Sequence, residues 1–144
     1  YSMVSMEAFE IYAANHDIYV MDFVLKLDAY SYYMMNLLDY LTGNTDRHWG
    51  NWGFLVDNRT NQPVRLFDLM DLNQTFLAYD TIEGANCMTT GNRKISQREA
   101  AVEAVKIIGL NQRNEIKDEW FKGREKEREM FWCRFGILKE QWKA

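Results

Sequence analysis

The chain has 144 residues, a length that suits one domain over 1–144, and its 47% hydrophobic and 26% charged residues are typical of globular proteins. No apolar run approaches the roughly 18–20 residues of a membrane-spanning helix, and no secretory signal is visible, so membrane contact is not expected. Free thiols fit a reducing compartment, so we expect a cytoplasmic protein. The two cysteines, Cys87 and Cys133, share no metal-ligand spacing with the two histidines, which argues against structural zinc.

Charge is unevenly distributed along the chain, whose net charge is −4. The first 112 residues carry eight basic and fourteen acidic side chains, whereas the remaining residues are slightly basic. Proteins that bind duplex nucleic acid concentrate positive charge on one face, so nucleic-acid binding is not indicated. The acidic part of the chain suits a cation-assisted site, although simple solubility explains it equally well.

Apolar periodicity predicts two helices before the middle of the chain. Apolar residues recur at helical spacing from Met3 to about Ala14, and again from Val20 to Leu41. The second pattern predicts one long helix, or two helices with a small break between them. Gly43 follows directly and can adopt the positive φ that ends a helix.

A β-hairpin is predicted over residues 52–67. Two short β-prone runs flank a polar turn, and Pro63 would begin the second strand, where its missing N–H does least harm. Residues 69–94 show no clear period, which predicts a long loop. The residues up to 94 therefore combine helices with one small sheet.

Two further helices are predicted within 96–142. Ser96 and Glu99 form a capping box before the first of them, and Gly109 provides its end. A last amphipathic helix is predicted to begin near Arg124. The predicted fold class is therefore mainly α with a small β-hairpin.

Polar residues cluster where the long helix ends and the hairpin begins, in the sequence Gly43-Asn44-Thr45-Asp46-Arg47-His48-Trp49-Gly50-Asn51. The second strand then leads into Leu66-Phe67-Asp68. Because a hairpin brings its two ends together, Asn51 and Asp68 should lie side by side, with Asp46 one loop away. Two carboxylates and one amide are thus predicted to converge.

Phosphoryl transfer needs such a set of side chains. Negative charge spreads over the phosphoryl oxygens in the transition state, so Mg²⁺ must be held close to them. An Asp and an Asn carbonyl suffice as protein ligands for Mg²⁺, and a further carboxylate must orient the acceptor hydroxyl and take its proton. Taken singly, however, Asp46 could be a turn or cap residue, and Asp68 a helix N-cap or an Asx-turn.

The spacing resembles that of a protein-kinase catalytic loop, in which the base Asp precedes the metal Asn by five positions and a metal Asp follows a hairpin. The segment from Asn44 to Phe54, followed by Leu66-Phe67-Asp68, resembles the catalytic core of HipA-type serine/threonine kinases. It is also similar to the Asp-Arg-His-x-x-Asn motif of phosphatidylinositol 3- and 4-kinases. The clear similarity covers about Asp28 to Phe76, a third of the chain.

The resemblance implies the C-terminal lobe of a HipA-type kinase fold, with a catalytic loop at 43–51 and a metal loop at 68–71. It implies that Asp46 is the catalytic carboxylate and that Asn51 and Asp68 bind Mg²⁺ and the ATP phosphates. His48 matches the motif histidine, which supports the loop, and we group it with Asp46 as catalytic; a buried structural histidine is the alternative. The acceptor implied is a protein Ser or Thr hydroxyl.

The sequence also departs from the family pattern. A small residue and Gly follow the metal Asp in many relatives, whereas this chain has Leu69-Met70-Asp71. Asp71 could add a second carboxylate to the metal, or cap a helix. Nothing resembles the Gly-rich phosphate loop or the strand Lys of an N-terminal lobe, and the chain begins at Tyr1 rather than Met, so we expect a fragment that is inactive without that lobe or a partner chain.

Two alternatives remain open at this point. The chain could be a catalytically inert helical interaction module, either truncated or decayed from a kinase. It could instead belong to a lipid or small-molecule kinase, because such an enzyme would use the same site residues.

Overall fold

The computed structural model describes residues 1–72, 75–76, 81–110 and 116–143, and these form four α-helices and one three-stranded antiparallel sheet. In chain order the elements are β1 (Ser2–Ser5), α1 (Met6–Ala14), α2 (Val20–Thr42), β2 (Gly53–Asp57), β3 (Gln62–Leu66), α3 (Gln97–Ile108), a 3₁₀ turn (Asp118–Phe121) and α4 (Glu125–Lys143). The prediction of a mainly helical chain with a small sheet is confirmed.

The first strand, β1, was not predicted, because the apolar stripe beginning at Met3 was interpreted as helix. Residues 2–5 instead pair antiparallel with β2, with Met3 opposite Leu55 and Ser5 opposite Gly53. The helix begins only at Met6, where the Ser5 hydroxyl accepts a hydrogen bond from the Ala8 N–H and caps it. Pairing with a strand fifty residues away overrides the local pattern.

Helix α2 confirms the long helix and its break. Asp28 has non-helical φ and ψ of −156° and 66°. Its carboxylate accepts hydrogen bonds from the Ser31 N–H at 3.3 Å and from the Leu66 N–H at 3.0 Å, so it caps the second half of the helix and fastens it to the end of β3. Gly43 ends the helix with a φ of 66°, as predicted.

The predicted hairpin is confirmed as β2 and β3, with β2 in the centre of the sheet and β3 at one edge. The register shifts between Leu55, which faces Arg65, and Val56, which faces Pro63, so that Val64 is an extra residue on β3. The Phe67 N–H donates to the Gly53 carbonyl at 2.8 Å and closes the open end of the hairpin. Both chain segments leaving the hairpin therefore start from neighbouring positions.

Helices α3 and α4 complete the fold. The Ser96 hydroxyl accepts from the Glu99 N–H at 3.1 Å, which confirms Ser96 as the N-cap, and α3 ends before Gly109. The predicted start of the last helix near Arg124 is confirmed by α4. The buried core joins all four helices to the sheet; its most enclosed apolar residues include Met6, Val24, Tyr40, Phe54, Val105 and Leu138. No helix in the described part of the chain has the length and apolar character needed to cross a membrane.

Candidate active site

The loop between α2 and β2 is held by an ion pair inside the protein. Arg47 Nε lies 2.9 Å from Asp39 Oδ2, and Nη2 lies 3.0 Å from Oδ1, with both side chains at most 5% exposed. Asn44 Nδ2 also donates to Asp39 Oδ1 at 3.0 Å. The carboxylate near the end of α2 thus fixes the start of the loop and its middle together.

The third guanidinium nitrogen of Arg47 joins the loop to the segment after β3. Nη1 donates to the Asn51 carbonyl at 3.1 Å and to the Met70 carbonyl at 2.6 Å. Arginine suits this role because its planar, permanently charged group presents five donors in fixed directions. One buried side chain therefore sets the relative positions of residues 51 and 70.

Three ligand-type side chains converge on the exposed side of this loop. A carboxylate oxygen of Asp46, a ring nitrogen of His48 and a carboxylate oxygen of Asp71 all lie within 4.8 Å of one another. Asn51 lies beside them, because its Nδ2 donates to the Asp46 carbonyl at 2.6 Å and to Asp71 Oδ2 at 3.4 Å. The structure thus brings together three of the four predicted site residues and adds Asp71.

The hydrogen bonds of His48 settle which of its nitrogens carries the proton. Its Nδ1 accepts a hydrogen bond from the Gly50 N–H at 2.9 Å, so a neutral ring carries its hydrogen on Nε2 and presents a donor. The ring is exposed, which corrects the alternative of a buried structural histidine. His48 can therefore donate to a carboxylate or a phosphate oxygen but has no free lone pair for a metal.

The Asn51 side chain carries the main sign of an incomplete site. The residue is 5% exposed, and its Oδ1 is buried without a hydrogen-bond donor. An unsatisfied buried acceptor is uncommon and costs stability, and a bound water or an ion would satisfy it. Amide and carboxylate oxygens form the ligand type that Mg²⁺ prefers, so the residues present fit this ion.

Asp68 lies apart from this convergence. Its carboxylate pairs with Arg65 Nη1 at 2.9 Å, and its side chain is 82% exposed. It is not among the three residues whose ligand atoms meet within 4.8 Å. The assignment of Asp68 as a metal ligand stays a prediction, while Asp71 takes the position beside Asn51.

Residues 86–97 form hydrogen bonds with the loop between α2 and β2. Trp49 Nε1 donates to the Met88 carbonyl at 2.7 Å, and Gln97 Nε2 donates to the Asn44 carbonyl at 2.6 Å. In the same layer, burial raises the pKa of the Cys87 thiol, whose sulfur lies 3.2 Å from the Thr89 hydroxyl. The two hydrogen bonds thus connect Asn44 and Trp49 of the loop to residues 88 and 97.

Sequence reasoning missed the residues that hold the site. Asp39 was counted only as part of the long helix, and Arg47 only as one letter of the motif. A signal was present in both cases, because a carboxylate at a position of the buried helix face and an arginine inside a short polar loop need partners. The fold supplies those partners to each other.

Comparison of the chain with protein-family models, with curated proteins and with solved structures finds no match.

Proposed function

We propose that this chain is the phosphotransferase lobe of a HipA-like kinase, which transfers the γ-phosphate of ATP to a protein Ser or Thr hydroxyl in the cytoplasm. The observation that carries the proposal is the convergence of Asp46, His48 and Asp71 within 4.8 Å beside the buried, unsatisfied oxygen of Asn51. This arrangement suits the handling of a charged phosphoryl group next to a hydroxyl.

Asp46 is the proposed general base. Its carboxylate is exposed, so an acceptor hydroxyl can reach it, while its backbone is fixed by hydrogen bonds to the Asn44 and Asn51 side chains. His48, which presents an Nε2–H, would donate to the carboxylate or to a phosphate oxygen. Asp46 would therefore take the proton of the hydroxyl, and His48 would supply a hydrogen bond beside it.

Asn51 and Asp71 are the proposed holders of Mg²⁺. Mg²⁺ would offset the negative charge that develops on the phosphoryl oxygens. Asp71 is preferred to Asp68 because it lies beside Asn51, whereas the Asp68 carboxylate pairs with Arg65. Arg47 would keep this pair in place through its bond to the Met70 carbonyl.

The experiment is phosphate transfer from γ-labelled ATP to a Ser/Thr protein substrate by the full gene product. Asp46→Asn should lower the rate about 10²- to 10⁴-fold while leaving nucleotide affinity nearly unchanged, because only proton transfer is lost. Asp57→Asn, a change at the last residue of β2, is the matched control and should keep the wild-type rate. A wild-type rate in Asp46→Asn would refute the proposal.

A second candidate is a helical interaction module without catalysis. It is favoured by an apolar groove of about 510 Å³ between α2, α3 and α4, which Met34, Phe131 and Trp142 help to line. Calorimetry of the full gene product with ATP and Mg²⁺ separates the two candidates. Saturable heat supports the kinase, and no heat at millimolar nucleotide supports the module.

A further inference from the structure

Glu7, in the first turn of helix α1, lies at the edge of the candidate active site. Its backbone N–H donates to the Trp49 carbonyl at 2.9 Å, so a hydrogen bond joins the start of α1 to the loop between α2 and β2. Gly50 has no side chain to separate the two segments: a Cβ built there would lie 3.1 Å from Glu7 Oε2 and 3.0 Å from His48 Nδ1. The Glu7 carboxylate and the His48 ring are therefore neighbours across Gly50.

The Glu7 carboxylate is available to a bound molecule. Glu7 is exposed, and its carboxylate forms no ion pair or hydrogen bond with the part of the chain that the structure describes. A negative charge in the first turn stabilises a helix through the helix dipole. That contribution does not require the carboxylate to lie beside His48, so the approach of the two side chains is a separate feature of the site.

The site next to Glu7 is acidic and carries a separate sign of a ligand. Asp46 and Asp71 supply carboxylate oxygens within 4.8 Å of each other, whereas the Arg47 guanidinium is buried in an ion pair. The sign of a ligand is Asn51 Oδ1, which is buried without a hydrogen-bond donor, while Nδ2 of the same side chain donates to Asp71 Oδ2. A molecule bound here therefore meets an excess of negative charge among the described side chains.

The sign of this charge indicates which substrate Glu7 contacts. A carboxylate repels the phosphates of a nucleotide, whereas an acceptor protein can bring a cation of complementary charge. The proposed mechanism already assigns Asp46 to the acceptor hydroxyl and Asp71 to Mg²⁺, which leaves the Glu7 carboxylate for the acceptor's neighbouring side chains. A guanidinium can form two parallel hydrogen bonds to such a carboxylate.

We propose that Glu7 is a specificity-determining residue, which binds a Lys or Arg side chain next to the acceptor hydroxyl. The substrate class would then be a basic Ser/Thr segment of a protein. This inference rests on the proposed function, because it takes the Asp46 cluster as the place where the hydroxyl reacts.

The test compares two short serine peptides in phosphate transfer by the full gene product. One peptide has arginine on both sides of the serine, and the other has glutamine at the same positions. Wild type should use the arginine peptide with the higher kcat/KM. Glu7→Gln should lower kcat/KM for the arginine peptide about two- to fivefold, through KM, because one exposed charge pair is lost. It should leave kcat/KM for the glutamine peptide unchanged.

A charge reversal separates recognition from a structural role. Glu7→Lys should disfavour the arginine peptide further and should raise kcat/KM for a third peptide with glutamate at both positions. A purely structural role of Glu7 would instead lower kcat/KM for all three peptides alike. Asp22→Asn is the matched control, because Asp22 is an exposed acidic residue in the first turn of a different helix, α2. It should keep the wild-type preference.

The results also distinguish this inference from the function on which it rests. Transfer by wild type with equal kcat/KM for the arginine and glutamine peptides would overturn the role of Glu7 and leave the kinase proposal in place. The same holds if Glu7→Gln prefers the arginine peptide as strongly as wild type does. A wild-type protein that transfers phosphate to no Ser/Thr substrate would overturn both proposals.

Discussion

Arg47 and Asp39 form a two-point ion pair inside the protein, and the same arginine reaches the backbone on both sides of the candidate site. Its Nη1 donates to the carbonyls of Asn51 and Met70, whose neighbour Asp71 supplies a carboxylate. The positions of the exposed site residues therefore depend on the buried ion pair between Arg47 and Asp39.

Removing this buried arginine should destabilise the protein strongly. In Arg47→Met, the buried Asp39 carboxylate would lose its ion-pair partner, and the Asn44 amide would be its remaining side-chain donor among the described residues. We expect a loss of about 3–5 kcal/mol in the free energy of unfolding, measured with urea. Arg65→Met makes the same replacement in the exposed pair with Asp68 and should cost at most about 1 kcal/mol. Equal losses in the two variants would contradict this account of Arg47.

Binding of Mn²⁺, a spectroscopic substitute for Mg²⁺, should distinguish the two candidate metal carboxylates. Asp71→Asn should weaken Mn²⁺ binding, followed by electron paramagnetic resonance, about tenfold or more because it removes a charge beside Asn51. Asp68→Asn should change the affinity less than about twofold, because Asp68 faces Arg65. The reverse order would restore the original assignment of Asp68.

Gly53 should tolerate no side chain. A Cβ there would lie 2.1 Å from the Val4 carbonyl oxygen and 2.8 Å from Ser5 Cα, both backbone atoms of β1. Gly53→Ala should lower the free energy of unfolding by about 1–3 kcal/mol and increase amide exchange in residues 2–5. Gly136→Ala is the control, because a Cβ at that position on α4 meets no atom within 4 Å.

In that control, loss of glycine flexibility inside a helix should raise stability by about 0.5–1 kcal/mol. Similar destabilisation in both glycine variants would show that the close approach of β1 is not the cause. Unchanged exchange in residues 2–5 of Gly53→Ala would lead to the same conclusion.

Glu83 should make a pH-dependent contribution to stability. Hydrogen bonds from the Ser96 hydroxyl and then from Arg98 hold its pKa below the ordinary value of 4.5. Because the folded-state pKa is the lower one, the contribution is present above pH 4.5 and is lost as pH falls through the folded value. The difference in unfolding free energy between wild type and Glu83→Gln should therefore shrink over that range.

The exposed Glu119 provides a control for this titration, since Glu119→Gln changes an acidic residue of the 3₁₀ turn away from Ser96. A constant difference for Glu83→Gln would contradict a role for the Ser96 and Arg98 contacts.

Local signals predicted the helices and the hairpin well. The signals for helix ends are Gly43, the N-cap Ser96 and Gly109. Each lies at the helix end that it defines, so its effect can be predicted from the neighbouring residues in the sequence. Strand β1 could not be predicted in this way, because its hydrogen-bond partners lie in β2. A few apolar residues spaced three apart, such as those beginning at Met3, are compatible with a helix or a strand until the partner strand is known.

The candidate site was predicted in composition but not in full detail. A hairpin constrains where its two ends emerge, which placed Asn51 and the segment after β3 near each other. It does not determine which carboxylate of that segment faces Asn51. Asp71 has a left-handed φ of 57°, a local reversal that sequence spacing does not reveal, and the Arg47 bond to Met70 holds the chain there.

The irregular edge strand β3 has a consequence for encounters between molecules. Pro63 offers no N–H to an approaching chain, and the extra residue at Val64 disturbs the spacing of the neighbouring donors and acceptors. A fourth strand from another copy would find no continuous row to match. The outer edge of β3 is therefore a poor template for edge-to-edge pairing with another chain. Such pairing leads flat, regular edge strands to aggregate.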